Sequence, residues 1–175
     1  MATTTTNLIS LEEYLHTIYH PDCDFVDDHI EERTLGEFDH GRLQALLTMW
    51  FGAHEKDWNV RVVTEVRTRV SPTRVRIPDV CLLRRDAPRE RVTVTPPLLC
   101  IEVLSPEDRI PRVLKVLDDY VKMGVPNLWI IDPTDPSERV AYIYKDSVLK
   151  LTSDRLTIPG TEIYLDLPAL FAELD

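Results

Sequence analysis

Leu98-Leu99-Cys100-Ile101-Glu102-Val103-Leu104-Ser105 is apolar on both faces apart from Glu102, the pattern of a strand at the centre of a sheet. The residues after it set the fold class. Ser105-Pro106-Glu107-Asp108 offers an N-cap, a proline for the first helical position and early acids. The helix they predict ends at Gly124, a natural residue for the left-handed turn that closes a helix. Asn127-Leu128-Trp129-Ile130-Ile131-Asp132-Pro133 is then a second buried strand, stopped by proline. Strand, helix and strand in succession indicate an α/β fold.

Upstream, Val75-Arg76-Ile77-Pro78-Asp79-Val80-Cys81-Leu82-Leu83 reads as another apolar strand interrupted by charge. Between Val60 and Val70 apolar and polar residues alternate, which predicts a half-exposed strand. The turn Ser71-Pro72-Thr73-Arg74 makes these two strands antiparallel neighbours. Before them, Asp39 can cap a helix running to about His54, with Leu43, Leu46, Leu47, Trp50 and Phe51 as its buried stripe. Ser10-Leu11-Glu12-Glu13 is a capping box that opens a short helix to about Tyr19. Phe25-Val26 and Ile30-Glu31-Glu32 flank Asp27-Asp28-His29 as a hairpin. The C-terminal part adds a hairpin around Asp146-Ser147, an extended run over Ile158–Leu165 and a short helix from Pro168. The core order is α-β-β-β-α-β around a central mixed sheet. With no internal repeat or linker, residues 1–175 form one domain, and residues 1–6 are expected to be disordered.

Composition narrows the classes. The 175 residues suffice for one sizeable core, and 43 % hydrophobic with 29 % charged residues is an ordinary globular balance. Three cysteines with no CxxC spacing argue against a disulfide framework and a structural zinc site, and the expected compartment is a reducing cytoplasm. No apolar run is long enough to span a membrane, and no partner membrane is expected. The net charge of −10 argues against nucleic-acid binding by the whole surface. Its distribution is uneven: Arg61 to Arg91 holds nine arginines and four acids, a net of +5, which leaves −15 elsewhere. A basic middle in an acidic body can steer a polyanion to one face; it can equally be a solvated edge that resists aggregation.

Asp79 and Glu102 matter most. A carboxylate in an apolar strand loses several kcal/mol of solvation unless a partner supplies positive charge. Two such acids on neighbouring strands suggest a shared cation, and a divalent metal would make the site one for metal-assisted hydrolysis. Taken singly, Asp79 could be a strand-end carboxylate paired with arginine, and Glu102 half of a buried ion pair.

The order of elements, with Pro78-Asp79 on one strand and Glu102-Val103-Leu104 on the next, resembles the restriction-endonuclease-like superfamily and its PD…(D/E)XK signature. Phe25-Val26-Asp27-Asp28-His29-Ile30-Glu31-Glu32, His40, Ile77-Pro78-Asp79-Val80, Glu102-Val103-Leu104-Ser105-Pro106 and Tyr120…Gly124-Val125-Pro126…Trp129-Ile130-Ile131-Asp132-Pro133 resemble the Uma-type (Uma-two) endonucleases. The resemblance implies a Mg²⁺- (or Mn²⁺-) dependent endonuclease acting on DNA, a homodimer, and a metal held by Asp79, Glu102 and the backbone oxygen of Val103. The chain departs from the signature at its third letter, which is Leu104. In the family that lysine has moved to the following helix, where Val116 stands here with Lys115 one residue away. Lys115 is the catalytic lysine candidate, although a helical wheel turns it from the apolar face.

Glu65 and His40 complete the catalytic candidates. Glu65 is an accessory acid or a cross-strand partner of Arg76 or a neighbouring residue. His40 binds phosphate, orients Glu102, or is a surface histidine. Glu37 suits a helix-dipole role, and Glu31 or Glu32 is a possible third acid. Arg76, Arg109 and Arg112 are the candidate phosphate contacts. Ser105 has no histidine spaced to activate it, and capping accounts for it. Trp129 and Tyr120 read as core. The rival reading is a catalytically impaired nuclease-like module that binds nucleic acid or a protein partner.

Overall fold

The computed structural model of the protein describes residues 8–33 and 37–175; the expected disorder over residues 1–6 lies outside them. Helix α1 spans Leu11–His16, capped by Ser10, whose hydroxyl accepts the Glu13 N–H at 3.1 Å. It stops short of Tyr19. Strands β1 (Asp24–Val26) and β2 (His29–Glu31) form the expected hairpin. Asp27 and Asp28 both take positive φ, 49° and 67°, as a two-residue turn matched to strand twist requires.

Helix α2 (Phe38–His54) starts one residue before Asp39, with Glu37 at its N-cap, and ends where the sequence places it. Leu43, Leu46, Leu47 and Phe51 are buried, while Trp50 is half-buried and donates its ring N–H to the Tyr164 carbonyl at 2.8 Å.

The two long strands expected next are each broken in the middle. The first divides into β3 (Val60–Thr64) and β4 (Thr68–Ser71), the second into β5 (Arg74–Arg76) and β6 (Val80–Arg84). The break in the first lies at Glu65, where φ is 50° and the N–H donates to the Pro78 carbonyl at 3.1 Å. The break in the second is Ile77-Pro78-Asp79. Each chain segment thereby passes from one sheet into another. Strands β4 and β5 join the hairpin in a four-stranded sheet of order β2-β1-β5-β4, whereas β3 and β6 join the main sheet.

Beyond β7 (Leu99–Val103) the helix starts later than expected. Ser105–Asp108 forms a closed turn, with Ser105 N–H donating to Asp108 Oδ2 and Asp108 N–H to the Ser105 carbonyl. Helix α3 (Ile110–Met123) has Pro111 in its first turn and Arg109 at its N-cap. Strands β8 (Leu128–Asp132), β9 (Val140–Lys145) and β10 (Val148–Thr152) complete a six-stranded mixed sheet, order β10-β9-β8-β7-β6-β3. Only β7 and β8 are parallel, and α3 is the crossover between them. The expected run Ile158–Leu165 is instead a turn between two short strands, β11 (Arg155–Thr157) and β12 (Tyr164–Asp166), before α4 (Leu167–Ala172).

Alternation along the central strands divides the core in two. Val80, Leu82, Leu99, Ile101, Trp129 and Ile131 face α2 and α4. Cys81, Cys100, Leu128 and Ile130 face Val113, Leu117 and Tyr120 of α3. The three cysteines are free and buried. Among the described residues no helix is long and apolar enough to cross a membrane.

Gly124 ends α3 at φ 99°, its N–H donating to the carbonyls of Tyr120 and Val121. A Cβ there would sit 3.8 Å from Pro96, an ordinary contact, so a substitution is opposed by the backbone alone. Gly124→Ala should lower stability by about 1–2 kcal/mol in urea denaturation. An unchanged midpoint would mean that the left-handed turn is not required.

Candidate functional site

Register explains why the two acids meet. In the β6–β7 ladder Val80 pairs with Ile101, and Cys81 with Cys100. Continuing that register by one residue sets Asp79 opposite Glu102, just past the end of the ladder. Opposed residues share a face, and this one is the α3 side. Asp79 is not in a strand; Pro78 ends the extended run and leaves the carboxylate at the open end of the sheet.

Asp79 is 3 % exposed and heavily hydrogen-bonded. Oδ1 accepts from Arg33 Nη2 at 2.8 Å. Oδ2 accepts the Val103 N–H at 2.8 Å and lies 3.3 Å from His40 Nε2. In an extended strand the N–H and C=O of one residue point to the same side, which for Val103 is the side of β6. Gln44 of α2 donates to the Asp79 carbonyl at 3.1 Å and to Glu65 Oε1 at 3.4 Å.

Glu102 Oε1 accepts the Tyr120 hydroxyl at 2.8 Å. Burial, and next the charge of Asp79, push the Glu102 carboxyl well above the usual range, against the Tyr120 hydrogen bond and the Arg33 charge. The acids therefore compete for too little positive charge. For His40, burial disfavours the imidazolium, but the hydrogen bond and charge of Asp79 outweigh it and raise the ring above its ordinary value. The surrounding cleft is small, about 40 Å³, and is lined by Arg33, His40, Asp79, Glu102, Arg112 and Val116, among others.

The structure brings together Asp79, Glu102, Val103, His40 and Arg112. Glu65 sits beside them, its side chain 56 % exposed and 3.8 Å from Arg33 Nη1; its partner is Arg33 and not Arg76. The Arg76 guanidinium is occupied by acids. It is 2 % exposed and ion-paired with Asp24 (2.9 Å), Glu31 (2.8 Å) and Asp119 (2.9 Å). These contacts bind the small sheet to α3. Arg109 is exposed and lines a groove next to the cleft together with Glu31, Arg76, Arg112 and Lys115. Lys115 does not enter the cleft. One residue is about a quarter-turn of helix, and that rotation puts Val116 in the cleft wall and Lys115 in solvent. Tyr120 and Trp129 are core as expected, but Tyr120 also holds Glu102.

Sequence reasoning missed Arg33. It lies 46 residues from Asp79, and no spacing reports such a contact. The only available signal was general: a carboxylate in an apolar run requires a cation.

Among the described residues no cluster of three or more His, Cys, Asp or Glu is arranged to hold a metal. The Asp79 and Glu102 carboxylates both line the cleft, and their donor atoms are oxygens. They suit a hard cation that keeps several waters, as Mg²⁺ does.

Residues 11–152 match the Uma2 family, described as "Putative restriction endonuclease". A crystal structure from Anabaena variabilis, described as a putative nuclease belonging to DUF820, superposes with a TM-score of 0.82 at 21 % identity, covering 95 % of this chain and 99 % of that one. The two share the fold. A chain of the cryoEM DrdV–DNA complex aligns over 74 % of this chain and 10 % of its own length, at 15 % identity and a TM-score of 0.35. No curated protein matches.

Proposed function

This chain belongs to the Uma2 family, and from that premise we propose that it is a Mg²⁺- or Mn²⁺-dependent endonuclease that hydrolyses phosphodiester bonds in DNA. One observation carries the reading: Asp79 and Glu102 face a single cleft at the open end of β6 and β7, and the charge of Asp79 acts directly on Glu102.

Asp79, Glu102 and the Val103 carbonyl would hold the ion. When bound, it supplies a Lewis acid for the phosphoryl oxygens and lowers the pKa of the attacking water. The protein's own groups position the substrate. Val103 N–H and Arg33 fix the orientation of Asp79, and Tyr120 fixes that of Glu102. Arg112 lies where the cleft meets the basic groove, so it can hold a phosphate of the scissile strand while Arg109 and Lys115 hold its neighbours. His40, which faces Asp79 from α2, would serve as a donor to phosphate. Arginine stays protonated and cannot accept the water's proton. A homodimer would place two such clefts on one duplex.

The apolar wall at Val116 favours a second reading, a module that binds DNA without cutting it. Incubating supercoiled plasmid with the protein separates the two. Cleavage is expected with Mg²⁺ or Mn²⁺ and is lost on chelation. Retained low-salt DNA binding without cleavage under either ion would establish the second reading instead.

A further inference from the structure

We propose that Arg33 is a built-in cation that competes with the divalent ion for Asp79 and so sets the metal affinity of the cleft. The inference rests on the proposed metal site. Arg33 follows β2, and its backbone is anchored at the preceding residue, where the Glu32 carbonyl accepts Arg112 Nη2 at 3.1 Å. From there the side chain, 18 % exposed, reaches Asp79 Oδ1 at 2.8 Å with one arm of its fork and approaches Glu65 Oε1 at 3.8 Å with the other. Its charge also acts on Glu102. It therefore bears on Asp79, Glu65 and Glu102 together.

The count of lone pairs makes this a competition. A carboxylate offers about four acceptor directions. Asp79 already accepts from Arg33 and from the Val103 N–H, and it faces His40. Little remains for an ion shared with Glu102. A permanent positive charge at hydrogen-bond distance also repels a second cation more strongly in a partly buried site than in water. Arg33 cannot relieve this by losing its proton, so it must yield Oδ1 or share it. In return it neutralises Asp79 whenever no ion is bound. The same residue would explain how this chain keeps two close carboxylates while Val116 occupies the wall where the resemblance expects a lysine.

Mn²⁺ binding, followed by calorimetry and by the loss of free-ion paramagnetic resonance signal, tests the idea without reference to turnover. Arg33→Gln should bind Mn²⁺ about 10- to 100-fold more tightly than wild type, because it removes a fixed positive charge close to the ion while the Val103 N–H still orients Asp79. Arg33→Lys, which keeps the charge, should stay near the wild-type value. Equal or weaker binding by Arg33→Gln, or a lysine variant as tight as the glutamine one, overturns the competition but leaves the metal site standing. No Mn²⁺ binding by any of the three removes the site itself, and the proposal with it. A measurement on the unmodified protein guards against a misfolded variant. The Arg33 guanidinium resonances should shift on titration with Mg²⁺, and resonances that saturating Mg²⁺ leaves unmoved also overturn the proposal.

Discussion

Arg76→Met is expected to destabilise the protein by about 3–5 kcal/mol at neutral pH, the usual cost of removing one partner from a buried ion pair. Arg76 is 2 % exposed, and Asp24 and Asp119, each 3 % exposed, are its partners. Methionine fills much of the same volume, so the loss comes from stranded charge and not from a cavity. Asp24 is the more vulnerable acid, since its Oδ1 has no hydrogen-bond donor among the described residues. Burial raises the Asp24 carboxyl, and Arg76 works against that rise. Without the guanidinium the folded-state value climbs further. A raised carboxyl contributes stability below its unfolded value and loses it as pH rises through the folded one. The defect should therefore be largest at neutral pH and shrink in acid, and Asp24→Asn in the same background should recover part of it. Urea denaturation at several pH values reads both effects. A loss under about 1 kcal/mol would show that Arg76 is not holding the acids, and would reopen its candidacy as a phosphate contact.

This residue also shows where sequence reasoning stopped short. Arg76 lies between Val75 and Ile77, in the same apolar run as Asp79. A charge in such a run needs a partner whichever its sign, so Arg76 is marked by its neighbours as buried and paired. Other misses left no trace in the sequence. Alternation of apolar and polar residues continues smoothly through Thr64-Glu65-Val66, so the step from β3 into β4 is invisible; no glycine or proline announces the positive φ at Glu65. At α3 two proline signals compete, Ser105-Pro106 and Ile110-Pro111. Side-chain oxygens can close a turn as readily as they cap a helix. Asp108 closes the first one, which hands the helix start to the second.

What the sequence did carry was the α/β order, the strands on either side of α3, and the two acids. Each rests on short-range patterning: apolar runs, caps, and the glycine at 124. The pairing of Asp79 with Glu102 depends on a ladder register that side-chain chemistry alone does not reveal. Arg33 depends on a contact across the whole site. Long-range geometry of that kind is where the candidate site gained its detail, including the cation that the charge argument required without being able to name.

Glu102→Gln should separate function from stability in opposite directions. Cleavage should fall about 1,000-fold or more, because a ligand of a Lewis-acid ion supports several kcal/mol of transition-state charge and each 1.4 kcal/mol is tenfold. Stability of the metal-free protein should rise by about 0.5–2 kcal/mol, as commonly happens when a strained functional group is relieved. The reason lies in the cleft. Burial and the Asp79 charge raise the Glu102 carboxyl, so ionising it in the folded state is costlier than in the unfolded chain. Its contribution to stability is intact below the unfolded value of about 4.3 and is lost as pH rises toward the folded one. Glutamine stays neutral and keeps an oxygen for the Tyr120 hydroxyl, so it avoids that loss. The gain should be absent in acid, grow above the ordinary carboxylate range, and disappear when saturating Mg²⁺ or Mn²⁺ restores the balance of charge to the wild type. Thermal melts with chelator and with metal, beside plasmid cleavage by the same preparations, test both halves. A variant that loses stability at neutral pH would mean that Glu102 is an ordinary satisfied core acid, and that the two carboxylates are not waiting for an ion.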